Sequence, residues 1–172
     1  MKKAEILQKM IDLDATLKVT FKLPKVAFLS LETPTRLSMK DTDFVETEIL
    51  RQFYINVSRV VPFEFYAYPE DRAQNDENNF VGLHYHAVVK SKNDAKFIKI
   101  AEAKYRKILV NRFSQFASYS LPKSCFYIEP LVSAAEAEAD QNAYESYCLK
   151  QYCPNTKRLV SHATYSLNKI AA

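Results

Sequence analysis

Two of the chain's three histidines, His84 and His86, stand two residues apart in the run Gly82-Leu83-His84-Tyr85-His86-Ala87-Val88-Val89. After the glycine the run is largely apolar, and it stops at the polar Lys90-Ser91-Lys92-Asn93, which reads as a β-strand. Strand side chains alternate, so His84 and His86 share one face and Tyr85 takes the other. Two imidazoles roughly 6–7 Å apart at the backbone can turn their ring nitrogens onto one metal at about 2.1 Å. Divalent-metal binding is the chemistry this pair offers.

A third ligand should come from the neighbouring strand. Phe63-Glu64-Phe65-Tyr66-Ala67-Tyr68 is strand-like, and the polar loop 69–79 returns the chain into the histidine strand, which predicts an antiparallel hairpin. With the tip near Gln74 or Asn75, Glu64 falls opposite His84 or His86 on the same face. Glu64 is therefore the expected carboxylate ligand. Glu70, nearer the loop, is the fallback.

The second reactive group lies in Tyr144-Glu145-Ser146-Tyr147-Cys148-Leu149-Lys150-Gln151-Tyr152. On a helix, Tyr147, Lys150 and Gln151 share one face. A tyrosine phenol ionises near pH 10, and a neighbouring ammonium favours the phenolate and stabilises charge developing on a phosphate.

The elements that must position these groups follow from periodicity. Residues 1–14 carry Ile6, Leu7, Met10, Ile11 and Leu13 as the apolar side of a short helix, either a cap over the sheet or an arm. Leu17, Val19, Phe21 and Leu23 alternate with polar residues as a half-buried strand ending at Pro24, and Val26–Leu31 is apolar enough to extend it or to form a short second strand. Asp41 or Thr42 is the expected cap of a helix from Phe44 to Arg59. A long helix should run from Asp94 to about Phe116, with Phe97, Ala101, Tyr105 and Leu109 inside. Its outer side carries Lys96, Lys99, Lys104, Arg106 and Lys107, where a phosphate backbone can be tracked. A strand over Ser124–Leu131 and a helix from Ala134, capped by Ser133, to Tyr152 complete the pattern.

Composition bounds the rest. At 172 residues, 48% hydrophobic and 26% charged, the chain suits one ordinary globular domain. No apolar run is long enough to span a membrane, and the first residues lack a signal peptide's apolar core, so the expected address is cytoplasmic. Cys125, Cys148 and Cys153 lack zinc-site spacing and are expected as reduced thiols. The formal charge of +4 permits nucleic-acid binding without requiring it. The single glycine excludes Gly-rich phosphate loops, including the nucleotide loop of a helicase.

His84-Tyr85-His86 resembles the His-hydrophobic-His motif of the HUH endonucleases, and Tyr147-Cys148-Leu149-Lys150 resembles the Tyr-x-x-Lys motif of their Rep branch. Rep proteins initiate rolling-circle replication of plasmids, phages and small single-stranded DNA viruses. The resemblance covers residues 15–153, with Val19-Thr20-Phe21-Lys22-Leu23 in the place of a first, less specific motif; 1–14 would be a helical arm and 154–172 a C-terminal tail. It implies an α+β fold with a central antiparallel sheet flanked by helices, an RRM-like or ferredoxin-like variant. It implies Mg²⁺ or Mn²⁺ held by His84, His86 and Glu64, with Tyr147 attacking a DNA phosphate and Lys150 assisting. The implied partners are an origin in single-stranded DNA and a host helicase and polymerase, with the protein a monomer or weak oligomer. Gln151, four residues after Tyr147, also resembles the metal-site glutamine of single-tyrosine HUH transposases, and Tyr144 would suit a two-tyrosine variant. In a different class, an RRM-like binding module would use Tyr66, Tyr68 and Tyr85 as stacking platforms.

Overall fold

Leu17, Val19 and Phe21 alternate with Lys18, Thr20 and Lys22, and that period of two builds a strand, β1 (Leu17–Lys22), with one apolar and one polar face. The computed structural model describes residues 1–23, 39–73, 76–112, 125–131, 143–153 and 157–166. The expected strand over Val26–Leu31, the Ser133 cap and residues 134–142 of the last helix lie outside these. Among the described residues, β1 is joined by β2 (Phe63–Ala73), β3 (Asp76–Ser91), β4 (Phe126–Pro130) and β5 (Val160–Ser161) in one sheet of order β4-β1-β3-β2-β5. Every neighbouring pair is antiparallel. The fold is α+β, as expected.

The two faces of the sheet differ in chemistry, and the helices sort accordingly. Leu17, Val19, Phe21, Phe63, Phe65, Leu83, Tyr85 and Ala87 form one apolar face. Against it pack α3 (Arg51–Ser58), α4 (Asp94–Arg112) and α6 (His162–Ser166). Phe53 of α3 sits among Phe21, Phe63, Phe97, Tyr105 and Phe126 at ring separations of 5.0 to 6.4 Å, mostly edge to face, as aromatic quadrupoles favour. The opposite face carries Lys18, Thr20, Lys22, His84, His86 and Lys90, and only part of it is covered by apolar packing. There Ile6 and Met10 of α1 (Lys3–Asp12) meet Tyr68, Val88, Cys148 and Leu149. The first helix is thus a cap over the sheet.

The helix expected from Phe44 begins earlier, so Asp41 and Thr42 lie inside it. α2 (Met39–Phe44) passes through a π turn (Val45–Leu50) into α3. The Arg51 N–H donates to the Glu46 carbonyl five residues back, and the wider turn leaves Glu46 buried. Glu46 is held by Arg158 and by the Tyr85 hydroxyl at 3.4 Å, while the Tyr165 hydroxyl donates to its carbonyl at 2.8 Å. Residues expected as a tail therefore belong to the domain. Val160 pairs with Ala67 at the sheet edge, and Tyr165 stacks 6.2 Å from Phe65.

α5 (Ala143–Cys148) is the described part of the expected last helix, and it ends at Cys148, with tight turns continuing to Tyr152. All three cysteines are free thiols. Among the described residues, no helix is long and apolar enough to cross a membrane.

Candidate metal centre

β3 runs through the middle of the sheet between β1 and β2, so its histidines are flanked on both sides by hydrogen-bonded neighbours. His84 and His86 share a face, with ring centroids 5.0 Å apart, and Tyr85 points into the opposite core as its parity requires. Thr20 of β1 lies directly opposite His86, and its Oγ1 is 3.2 Å from His86 Nδ1. With the proton on Nδ1, that contact leaves the Nε2 lone pair for a metal, the usual way an outer hydroxyl or carbonyl fixes a ligating imidazole.

The carboxylate beside the histidines is Glu70. It lies directly opposite His84, is buried, and sets Oε2 at 3.1 Å from His86 Nε2 and 3.7 Å from His84 Nε2. Glu64, the expected ligand, is on the same face but opposite Lys90 and exposed, six residues along β2, roughly 20 Å away. The hairpin tip is where the sequence placed it, since Ala73 pairs with Asp76. The error is in the register. Shifts between Glu70, Arg72 and Ala73 give β3 five extra residues (16 against 11), and each one slides Glu64 farther from the histidines. One shift opposes Glu70–Arg72 to Phe80–His84, the segment containing Gly82, the chain's only glycine. A glycine inside a strand is a sign of such an irregularity, and it could have pointed to Glu70.

The electrostatics of this group follow from its burial and its charged neighbours. Burial alone would raise the Glu70 carboxyl, but the His84 and His86 imidazoles and the Lys150 ammonium beside it outweigh that and hold Glu70 well below the usual carboxylate range. Burial lowers His86, against the pull of Glu70, so its imidazole is neutral near pH 7. Among the described residues, neither Glu70 Oε2 nor His86 Nε2 has a hydrogen-bond partner of acceptable geometry, although they face each other at 3.1 Å. Two buried acceptors aimed at one point are costly unless something positive lies between them. Donor atoms on a cation at about 2.1 Å are separated by roughly 3–3.4 Å, close to the 3.1 and 3.7 Å seen here. The three donor atoms all lie within 4.8 Å of one another. This buried Glu70–His84–His86 group can hold a metal ion.

α5 brings tyrosine to the same place. Cys148 and Leu149 are buried against Tyr68 and α1, which anchors the turn carrying Lys150 and Gln151. Tyr147 is 36% exposed, and its ring lies 4.9 Å from that of His86. Lys150 Nζ sits 3.8 Å from the centre of the Tyr147 ring and 3.0 Å from Glu70 Oε1. Burial alone would lower the Lys150 ammonium, but hydrogen bonds to Tyr147 and Glu70 raise it, so it stays charged.

The other two tyrosines of the segment are engaged in structure. Tyr144 stacks on Tyr147 and directs its hydroxyl to the Val19 carbonyl at 3.5 Å, and burial pushes its phenol well up. Tyr152 stacks on Tyr68 and donates to the Met1 carbonyl at 2.6 Å. Gln151 gives its Nε2 to Glu70 Oε1 at 3.3 Å, and its own carbonyl accepts from Lys157, so it stands outside the donor set.

The expected DNA-steering residues are not at this site. Lys96, Lys99, Lys104, Arg106 and Lys107 ride on α4, whose apolar side packs on the face opposite the histidines. An amphipathic pattern shows that a helix has an apolar side but not which face of the sheet receives it. On the histidine face, the nearest exposed cation on β1 is Lys22, directly opposite His84. Of the expected stacking platforms, Tyr68 and Tyr85 are fully buried and Tyr66 is half-buried.

Fold and site together define an antiparallel α+β domain with a buried two-histidine, one-carboxylate group beside an accessible tyrosine. Comparison of the chain with family models, curated proteins and solved structures found no match.

Proposed function

We propose that the chain is a metal-dependent enzyme that nicks and rejoins single-stranded DNA through a 5′-phosphotyrosine, as a rolling-circle initiator of the Rep type does. The observation that carries this reading is the place of Tyr147. Its ring abuts His86, and Lys150 touches both that ring and Glu70, so nucleophile and metal donors form one site. Tyr144 and Tyr152 direct their hydroxyls to backbone carbonyls, whereas Tyr147 is engaged by the Lys150 ammonium, a group of the same site.

His84, His86 and Glu70 would hold Mg²⁺ or Mn²⁺, which would supply Lewis-acid stabilisation of the scissile phosphate. Tyr147 Oη attacks phosphorus in line; the Oη–P bond forms and the bond to the 3′-oxygen breaks. The phenolic proton is lost from Tyr147, and the departing 3′-oxygen takes one up. Lys150 steadies negative charge on the phenolate and the phosphate. A 3′-OH returning to the phosphotyrosine reverses the step and joins a strand, and a polymerase can extend the free 3′-OH meanwhile.

The test is incubation with a pool of random single-stranded oligonucleotides and Mn²⁺, followed by peptide mass spectrometry. A nucleotide adduct on Tyr147, absent with EDTA and from Tyr147→Phe, is expected. An adduct that persists in Tyr147→Phe, or DNA binding with neither cleavage nor metal dependence, would overturn the reading.

A further inference from the structure

Glu70 must offer Oε2, not Oε1, to a shared ion, and something has to set that rotation. Its Oε1 accepts from Lys150 at 3.0 Å and from Gln151 Nε2 at 3.3 Å, which leaves Oε2 facing His84 and His86. The Gln151 amide can serve only in one sense. Reversed, it would set its carbonyl against the Glu70 carboxylate. Lys157 enforces that sense, because its Nζ donates to Gln151 Oε1 at 3.2 Å and would oppose an NH₂ placed there. Lys157 is itself fixed through its backbone. Its N–H donates to the Cys153 carbonyl at 2.9 Å, and its carbonyl accepts from the buried Tyr68 hydroxyl at 3.4 Å.

We infer that Lys157 and Gln151 are positioning residues that hold Glu70 in its ligating rotation, so that the segment after the tyrosine turn sets metal affinity without touching the ion. This rests on the metal-binding reading of the same site. It also makes a prediction of unusual sign. A lysine acting only as a nearby positive charge would repel a cation, and deleting it would tighten binding. A lysine acting through Gln151 must weaken binding when deleted.

The experiment is calorimetric titration of the full chain with Mn²⁺, comparing wild type with His84→Ala, Gln151→Leu, Lys157→Met, Lys157→Arg and the double variant Gln151→Leu/Lys157→Met. Loss of an outer partner of a ligand weakens metal binding by about 10-fold or more, the effect expected for Gln151→Leu. Lys157→Met should weaken it in the same direction and Lys157→Arg should restore it. The double variant should be no worse than Gln151→Leu, since both residues act along one chain of contacts. Unchanged or tighter binding by Lys157→Met, or additive losses in the double variant, would overturn the inference. If His84→Ala weakens binding and Lys157→Met does not, only this inference falls. If wild type takes up no Mn²⁺, or His84→Ala binds as well as wild type, the metal reading falls and takes the inference with it.

Discussion

Replacing Glu70 by glutamine, with Glu64→Gln beside it, separates the observed site from the one an ideal hairpin would have built. The two carboxylates share a strand and a face, and they differ in the row they occupy and in burial. Glu70→Gln keeps the volume and one carbonyl oxygen but removes the charge. Two unit charges about 4 Å apart attract by roughly 4 kcal/mol at an effective dielectric near 20. A ligating oxygen lies closer to a doubly charged ion, but Glu70 must also give up part of its interaction with Lys150, 3.0 Å away. We take about 3 kcal/mol as surviving, on the order of a 100-fold loss of affinity. Glu64→Gln should change it by less than about twofold, as an exposed charge roughly 20 Å along the strand is screened by solvent. The free-ion electron paramagnetic resonance signal of Mn²⁺, followed through a protein titration, reads both constants directly. Equal losses in the two variants, or none in Glu70→Gln, would refute the assignment.

Three further outcomes are expected. Tyr144→Phe should keep adduct formation on Tyr147 while lowering unfolding free energy by about 1 kcal/mol, the worth of one hydrogen bond; loss of the adduct with wild-type stability would make Tyr144 a nucleophile. Lys22→Ala should weaken single-stranded DNA binding and flatten its salt dependence by about one unit of slope, whereas Lys99→Ala on the far face should leave both unchanged, and the reverse ranking would return the DNA to α4. Burial lifts the Glu46 carboxyl above its ordinary 4.5, against the pull of Arg158, so the folded chain keeps a proton that the unfolded chain has released. Stability from this group therefore falls as pH rises from 4.5 through the raised folded value, and Glu46→Gln should remove that slope in denaturation curves; an unchanged slope would place its origin elsewhere.

Much of this site was legible because parity is a strong constraint. Alternation alone put His84 and His86 on one face, Tyr85 on the other, and the third carboxylate on a neighbouring strand of the same face. Parity also gave Glu64 and Glu70 equal standing, and only the register separates them. Register depends on bulges, which turn on local backbone geometry rather than on hydrophobic pattern. The side of the sheet taken by α4 was hidden for another reason. Its apolar stripe had to find the apolar face, Leu17, Val19 and Phe21, which its own sequence cannot name. Thr20 and Lys157 went unassigned because a hydroxyl or an ammonium in one polar stretch looks like any other until a distant partner arrives. The burial of Glu46 was hidden as well, because the π turn that carries it inward leaves no trace in the spacing.

The three candidate metal donors come from a single hairpin, while Tyr147 is more than fifty residues further on. Chains grow from the N-terminus, so His84, His86 and Glu70 have all left the ribosome before the tyrosine has been added. No arrested or truncated product of translation can carry Tyr147 without also carrying Glu70, His84 and His86. Termination before Tyr147 leaves the hairpin without the tyrosine ring that abuts His86.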